Sequence, residues 1–262
     1  LCSKFTKLKA TLLRDLEFYK LGENAEDLSI APLGGAVFRL YKCSSTDAGH
    51  THYGNPGGSS SCYGNVYIRE TASMADGKVL FEDLEPGSYA FVESSVPKGY
   101  IAYSGVFYTF LIDNEGNVST PLGCEYSSSK GTYKSDRAIQ LEKGDDGRLT
   151  LLNKASVGKL TINKTWNDNG RTDRPEAVFH LKRNGVPFRD ATLKKGEKSV
   201  VFENLPVYDA YGNYYAYSLE EEELSNYAGR FSWFGGDYPF QNGYNDRSIT
   251  FYNDYTELLN YK

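Results

Sequence analysis

Three polar residue types recur in the same order in both halves of the sequence, at positions where a β-strand would turn them toward a core. A lysine comes first, a glutamate follows in a tyrosine-rich strand, and an asparagine ends the last strand. Leu160, Ile162 and Lys164 alternate in this way, so they share one strand face. The two sets are Lys20, Glu93 and Asn153 in the first half and Lys164, Glu221 and Asn253 in the second. A set repeated in order indicates shared chemistry rather than chance.

Such a set can form a covalent bond between its own side chains. Burial disfavours the charged form of a lysine, and the neutral amine is a nucleophile. A buried glutamic acid stays protonated, hydrogen-bonds the asparagine carbonyl and passes protons while the amine attacks and ammonia leaves. The product is a Lys–Asn amide that the protein makes once, on itself, with proximity in the fold supplying much of the acceleration. The alternative is a buried salt bridge beside an asparagine cap.

Alternating strands must position these side chains. The stretch YAFVESSVPKGY places Phe91 and Glu93 on one strand face, so a core-facing Phe91 brings a carboxylate inward with it. Residues 1–30 fit either a short helix or a strand that has Phe18 and Lys20 on one face. The sequence alone leaves both conformations open for that segment.

The strands themselves repeat, which predicts two domains. The motif Ala-Val-Phe-x-Leu occurs as Ala36–Leu40 and as Ala177–Leu181, and VLFEDLEPG is paralleled by VVFENLPVY. Each series begins with a lysine-bearing strand and ends with a strand that closes on asparagine. We therefore predict two tandem β-domains, residues 1–156 with insertions and all four cysteines, and residues 157–262.

Composition and charge narrow the class of protein. The chain has 262 residues, is 15% aromatic and holds 26 glycines, which is typical of an all-β protein with many turns. Its net charge of −5 argues against nucleic acid as a partner. The sequence has no apolar run of about 18 residues, so we expect no membrane insertion. His50 and His52 have no third ligand in view, so we expect no metal and no cofactor.

The cysteines indicate the compartment. Cys2, Cys43, Cys62 and Cys124 match no CxxC metal pattern. An even count in a chain rich in tyrosine, serine and glycine favours disulfides and an extracellular setting over reduced cysteines in the core. Cys43 and Cys62 bracket a loop rich in glycine and serine, so we predict that they pair. Cys2 and Cys124 would then form the second pair, although other pairings are open.

These motifs together resemble those of the Cna B-type (CnaB) domains of Gram-positive surface proteins and pilins. YAFVESSVPKGY is similar to their Tyr-x-x-x-Glu-x-x-x-Pro-x-Gly-Tyr pattern, and LGGAVFRLYK to their Gly-Ala-x-Phe-x-Leu strand. KLTINKTWNDNGRTDRPEAVFHLKRNG resembles another common opening, with Lys-Thr-Trp, Arg-Pro and Asn-Gly in order. The resemblance implies two transthyretin-like, reverse-immunoglobulin β-sandwiches, each locked by a Lys–Asn isopeptide bond.

The resemblance also implies a role for each member of the two sets. The lysine and asparagine would be bonded and the glutamate would shuttle protons: Lys20, Asn153 and Glu93 in the first domain, Lys164, Asn253 and Glu221 in the second. The segment that follows the first-domain lysine is longer than the family usually has, which leaves Lys7 or Lys9 open as the partner. The run Glu220–Glu223 leaves the second register open, and the parity of Tyr217 favours Glu221.

Two classes of function fit this sequence. The leading interpretation is a stalk or pilin module of a cell-wall-anchored surface protein, outside the cell and joined to other surface or pilus subunits through its parent protein. The alternative is an adhesin module that contacts host protein or glycan through the Cys43–Cys62 loop or the aromatic region around Trp233. A turnover enzyme has little support, because we find no Ser-His-Asp order, metal cluster or phosphate loop. The sequence contains no Leu-Pro-x-Thr-Gly motif and no Tyr-Pro-Lys motif, so it gives no indication of a polymerising shaft subunit.

Overall fold

The computed structural model describes residues 12–42, 66–102, 107–119, 125–128, 131–134, 141–144, 146–232, 239–240 and 245–256. The chain divides into two compact units, Leu1–Glu23 with Ser29–Lys154 and Asn24–Leu28 with Ala155–Lys262, and they are called the first and second domain below. Each has its own hydrophobic core. The limits 1–156 and 157–262, as limits of domains that fold independently, stay a prediction.

The first domain is built from two main sheets and a small one. Its strands are β1 (Arg14–Glu23), β2 (Ile30–Pro32), β3 (Val37–Lys42), β4 (Val66–Ala72), β5 (Lys78–Leu84), β6 (Gly87–Ser95), β7 (Phe107–Ile112), β8 (Val118–Ser119), β9 (Glu125–Ser128), β10 (Gly131–Lys134), β11 (Glu142–Lys143) and β12 (Leu149–Asn153). One sheet has the order β11-β12-β1-β2, with β5 also paired to β1, and the other has the order β4-β3-β6-β7-β8. Strands β9 and β10 form the small sheet.

The second domain has the same plan with fewer strands. They are β13 (Val157–Asn167), β14 (Ala177–Arg183), β15 (Val186–Leu193), β16 (Ser199–Pro206), β17 (Tyr217–Glu221), β18 (Tyr227–Ser232) and β19 (Asp246–Tyr255). One sheet has the order β16-β13-β19-β18 and the other β15-β14-β17. Asn184 and Gly185 both have positive φ, 50° and 78°, so the β14–β15 hairpin turns on the Asn-Gly pair that ends the repeated strand.

The two domains repeat each other strand by strand. The order β5-β1-β12 corresponds to β16-β13-β19, and β4-β3-β6 corresponds to β15-β14-β17. In both domains the first strand pairs in parallel with the last, β1 with β12 and β13 with β19. This parallel pair brings a residue from the start of each domain next to one from its end.

Aromatic side chains from facing sheets fill each core. In the first domain Phe18 on β1 stacks on Phe91 of β6 with ring centroids 5.0 Å apart, and its edge meets Phe38 of β3. In the second domain Phe179 of β14 meets Phe251 of β19 edge-on, also at 5.0 Å. Contacts of this kind across the interior make each domain a β-sandwich.

The prediction of an all-β chain with two tandem β-sandwiches is confirmed. Within the segment 1–30 that fitted either helix or strand, Arg14–Glu23 form strand β1, with Leu16, Phe18 and Lys20 buried on one face. Hairpins around Gly116 and Gly147 join β7 to β8 and β11 to β12. Strands β2, β9, β10, β15 and β18 were not predicted.

Candidate functional site

Three strands from two sheets meet at the second-domain set. β13 and β19 are parallel neighbours, in a register that places Lys164 beside Phe251 and Trp166 beside Asn253. Because alternate residues of a strand point to the same face, Lys164 and Asn253 both point into the core. Glu221 ends β17 in the opposite sheet and reaches the set from across the interior.

Hydrogen bonds join the second-domain set. Lys164 Nζ donates to Asn253 Oδ1 at 2.6 Å and also donates to Glu221 Oε1. The side chain of Lys164 is 0% exposed and that of Glu221 is 7% exposed. Three rings lie near the lysine nitrogen, with centroids at 4.7, 5.5 and 5.9 Å: Trp166, Phe179 and Phe251. The amine therefore lies in an aromatic environment with few polar partners.

The first-domain lysine is held by three acceptors. Lys20 Nζ donates to Asn153 Oδ1 at 2.5 Å, to the Leu151 carbonyl at 3.0 Å and to the Leu21 carbonyl at 3.1 Å. These bonds use all three hydrogens of an ammonium group. The parallel pairing of β1 and β12 supplies two of the acceptors, so the lysine is aimed at Asn153 by the sheet itself.

The glutamate contacts the asparagine differently in the two domains. Glu93 Oε2 accepts a hydrogen bond of 2.9 Å from Asn153 Nδ2, the nitrogen that would leave as ammonia. Glu93 Oε1 is buried 3.7 Å from Lys20 Nζ and has no hydrogen-bond partner among the described residues. In the second domain it is the lysine that Glu221 contacts. Both arrangements leave the carboxyl group able to exchange a proton with its contact.

Burial moves both first-domain groups toward their neutral forms. Loss of hydration lowers the pKa of Lys20 to about 8, although the nearby Glu93 opposes the change. The same loss of hydration raises the pKa of Glu93, with Lys20 and Asn153 opposing it. The pKa of Lys164 is likewise lowered by burial, against the effect of Glu221. A neutral amine beside a protonated carboxyl group is the state in which the amine can attack a carboxamide.

The structure brings together both predicted sets. Glu221 points inward, whereas its neighbour Glu220 is exposed and binds Lys182 at 2.6 Å. Lys7 and Lys9, the alternative lysines, lie outside the described residues. The same is true of other residues singled out in the sequence: Cys2, Cys43, Cys62, Cys124, His50, His52 and Trp233.

Four residues beside the second-domain set were missed by the sequence analysis. Asp168 is buried and accepts two hydrogen bonds from Arg174, at 2.7 and 2.8 Å, and one from the Tyr227 hydroxyl at 3.3 Å. Tyr227 in turn meets the Trp166 ring edge-on at 4.9 Å. The alternating charges of NDNGRTDRP indicate ion pairs in this loop, but not which acid pairs with which base.

Two open clefts reach the second-domain set from different sides. One of about 650 Å³ is lined by Lys164, Trp166 and the lysine-rich turn at 194–198. The other, of about 540 Å³, is lined by Glu221, Asn253 and Tyr227, together with the remaining glutamates of the acidic run. The cleft lined by Lys164 is thus mainly basic and the one lined by Asn253 mainly acidic, while the Lys164 side chain itself is 0% exposed.

No helix within the part of the chain that the structure describes has the length and apolar character needed to cross a membrane. Those same residues include no cluster of three side chains suited to hold a metal ion.

Sequence comparison identifies a family for part of each domain. Residues 160–237 match the Cna protein B-type domain, and residues 15–122 match the prealbumin-like fold domain. A curated relative, Colossin-A from Dictyostelium discoideum, is 30% identical over 140 residues, which is 53% of this chain but only 1% of Colossin-A. The family matches agree with the Cna B-type resemblance of the motifs and with the sandwich fold.

Structure comparison matches this chain to solved proteins at TM-scores below 0.5. The Bacillus anthracis TIE protein is 17% identical, with a TM-score of 0.48, over 93% of this chain and 34% of its own. A C-terminal fragment of the pilus adhesin SpaC from Lactobacillus rhamnosus GG is 16% identical, with a TM-score of 0.43, over 92% of this chain and 97% of the fragment. The chain thus spans about a third of the TIE structure.

Proposed function

We propose that this chain, which matches a prealbumin-like fold domain and a Cna B-type domain in tandem, is a structural stalk or pilin module of a cell-wall-anchored surface protein. It lies outside the cell and is joined to other surface or pilus subunits through its parent protein. Each domain locks itself with an isopeptide bond between the lysine and the asparagine of its set. The module turns over no substrate and needs no cofactor.

The bond forms by exchange of an amine for ammonia. Lys164 passes a proton to the Glu221 carboxylate that it contacts, its neutral nitrogen attacks the Asn253 carboxamide carbon, and the Glu221 carboxyl group then stabilises the carbonyl oxygen and relays protons. The C–N bond to Nδ2 breaks, Nδ2 takes the proton that the lysine nitrogen loses, and ammonia departs. One amide nitrogen replaces another, so no oxidant, reductant or activated group is required. Lys20, Glu93 and Asn153 take the same parts in the first domain.

One observation carries this proposal: in both domains a buried lysine nitrogen lies within hydrogen-bond distance of an asparagine carboxamide, beside a buried carboxyl group. A buried salt bridge alone would account for a lysine and a glutamate, but not for an asparagine at the same place twice. Such pairs are often no more stabilising than apolar side chains of similar volume. A covalent bond between the lysine and the asparagine would explain why both domains place all three residues together.

The adhesin alternative rests on segments outside the described residues, the Cys43–Cys62 loop and the region around Trp233. No contact, cleft or charge in the described part favours it over the structural role. The predicted disulfides lie in the same undescribed segments and support the extracellular setting only as a prediction.

The test is the intact mass of the full chain after complete reduction. We expect a mass below that of the sequence by two molecules of ammonia, one for each domain. Peptide mapping then locates the bonds as branched peptides, one joining Lys20 to Asn153 and one joining Lys164 to Asn253. A mass equal to that of the plain sequence would refute the self-crosslinking proposal for both domains, and a branched peptide through Lys7 or Lys9 would reassign the first lysine.

A further inference from the structure

A buried ion pair lies beside the reacting lysine of the second domain without touching it. The Asp168 side chain is 0% exposed and that of Arg174 is 35% exposed. Arg174 binds both carboxylate oxygens, and the Gly170 backbone N–H donates to Oδ1 at 3.1 Å. Asn169 and Gly170 have positive φ, 54° and 81°, so the chain reverses there and brings Arg174 back to Asp168.

This ion pair fixes two groups that contact Trp166. Asp168 Oδ2 accepts from both Arg174 Nε and the Tyr227 hydroxyl. The Arg174 guanidinium lies 5.9 Å from the Trp166 ring centroid, and the Tyr227 ring meets Trp166 edge-on. The Trp166 ring in turn lies over Lys164 Nζ at 4.7 Å. One carboxylate therefore holds the tyrosine and the arginine that support the ring covering the lysine.

Trp166 and Tyr227 also separate the lysine from the solvent of both clefts. Trp166 and Arg174 line the basic cleft that reaches Lys164, and Tyr227 lines the acidic cleft that reaches Asn253. If the two rings moved apart, water would enter the site from either side.

The first domain differs at the position that corresponds to Trp166. Gly22 follows Lys20 by two positions, as Trp166 follows Lys164, and a Cβ at Gly22 would lie only 2.6 Å from the Tyr100 ring. The Tyr100 ring therefore packs against the backbone where the second domain has a tryptophan. The position equivalent to Asp168 is Asn24, whose side chain binds the backbone of Glu26. Both domains thus have an aromatic ring beside this point of the first strand, and in the second domain an ion pair supports it.

We propose that the Asp168–Arg174 ion pair is a latch that holds Trp166 and Tyr227 over Lys164 and excludes water while the isopeptide bond forms. The latch residues are positioning residues, since neither touches a reacting atom. This inference rests on the proposed function, and it names the residues that control bond formation at the second-domain site. With the latch closed, the lysine stays poorly hydrated and more of it is neutral. The attraction of the Trp166 ring for an ammonium group acts the other way, but it is smaller than the loss of hydration.

Opening the latch changes the hydration of Lys164 but leaves most of the charges around it in place. Glu221 contacts Lys164, and Asp168 and Tyr227 lie behind the ring that covers it. The remaining charged groups of the site line the two clefts: Arg171, Arg174, Lys194, Lys195, Glu197 and Lys198 in the basic one, and Glu220, Glu222 and Glu223 in the acidic one. Removing Asp168 alone would leave an extra cation near the lysine and lower its pKa by repulsion. The test variant therefore removes both members of the pair and keeps the net charge.

The test uses the full chain with Asp168→Ala and Arg174→Ala together, and a control with Lys159→Ala and Glu203→Ala. The control removes an exposed ion pair of the same domain, at 3.9 Å, whose members line neither cleft, and has the same net charge as the test variant. Each chain is refolded by dilution from denaturant over a range of pH, quenched at intervals, and assayed for both branched peptides by mass spectrometry. The first-domain bond is an internal reference for folding in every sample.

We expect the test variant to form its second-domain bond more slowly at neutral pH and to need a higher pH for the same rate. Each unit by which the pKa of Lys164 rises lowers its neutral fraction at pH 7 about tenfold. The control and the first-domain bond should keep the unmodified rates. A purely structural role would lower stability without moving the pH profile, so equal profiles for test and control overturn the latch. If the alanine pair does not refold, Asp168→Asn with Arg174→Gln replaces it under the same criterion.

The two proposals fail separately. If the unmodified chain makes no second-domain branched peptide, the self-crosslinking proposal fails for that domain, and the latch is tested by the pH dependence of Lys164 acetylation by acetic anhydride. An upward shift in the test variant relative to the control then supports the latch, and identical profiles overturn it. If the unmodified chain makes the bond and the variants do not differ, the latch alone is wrong.

Discussion

Replacing Asn253 with alanine separates a covalent bond from a hydrogen-bonded cluster. The variant removes the carboxamide that would react, and it also removes the acceptor at 2.6 Å from Lys164 Nζ. The ion pair between Lys164 and Glu221 remains, so the buried lysine keeps a partner. The loss of stability therefore depends mainly on whether the unmodified protein carries the bond.

The magnitude follows from the length of chain that the bond would close. Lys164 and Asn253 are 89 positions apart. By the chain-entropy relation for crosslinks, closing a loop of this length contributes about 4.6 kcal/mol at 25 °C. If the bond is absent, the variant instead loses a hydrogen bond from a charged donor, which contributes about 1.5–3 kcal/mol. The variant should thus lose about 4.6 kcal/mol if the bond exists, and about 1.5–3 kcal/mol if it does not.

Tryptophan fluorescence can follow this domain alone. The chain has two tryptophans, Trp166 and Trp233, and both lie in the second half of the sequence. We expect guanidinium unfolding monitored by fluorescence to show the larger loss for Asn253→Ala. Asn167→Ala is the control, since that exposed side chain binds Asp254 on the same strand pair and its removal should change stability by at most about 0.5 kcal/mol. A loss of about 3 kcal/mol or less, with linear peptides in the unmodified protein, would refute the bond.

Three further outcomes are expected. Glu221→Ala should leave the second domain folded but unbonded, whereas Glu220→Ala, an exposed neighbour, should keep the branched peptide; a branched peptide in the first variant would assign the proton shuttle to another group. During refolding, the first-domain bond should form faster as pH rises through about 8, because the neutral fraction of Lys20 grows there; a rate that falls over this range would contradict the assignment. Gly229→Ala should slow the second-domain bond, because its Cβ would lie 3.1 Å from the Glu221 carboxylate; equal rates in variant and unmodified chains, with the first-domain bond as reference, would count against this contact.

The strands that carry the site could be predicted because their alternation is strict. Within the acidic run, Glu221 follows from the parity of Tyr217 and Leu219, both of which are buried on the same face. The segment before Lys20 could not be decided from its own residues. It becomes strand β1 because β5 and β12 pair with it, and both come from sequence more than fifty residues away. Pairing between strands that are so far apart in the sequence cannot be predicted from the pattern of neighbouring residues.

The residues around the site were harder to predict because turns place them. Asp168 and Arg174 meet only because the backbone reverses at Asn169 and Gly170. The sequence shows several acids and bases in that loop, and nothing in their spacing separates the buried pair from the exposed pair of Arg171 and Asp173. Strand β18 was missed for a related reason: its pairing with β19, which places Gly229 beside Asn253, depends on where the chain returns after Glu221.

A bond between the first and last strands decides which part of each domain carries tension. β13 begins the second domain and β19 is its last described strand, and because they run in parallel, a pull on both ends shears that pair. With Lys164 joined to Asn253, force passes from one strand to the other through covalent bonds, and residues 165–252 lie outside the path of the load. In the first domain a bond from Lys20 to Asn153, which now share a hydrogen bond, would remove residues 21–152 from it in the same way. An insertion between the bonded lysine and asparagine therefore lengthens only a part of the chain that bears no tension. Loops can therefore be added to the first domain without weakening a stalk, which makes a structural role compatible with later gain of binding.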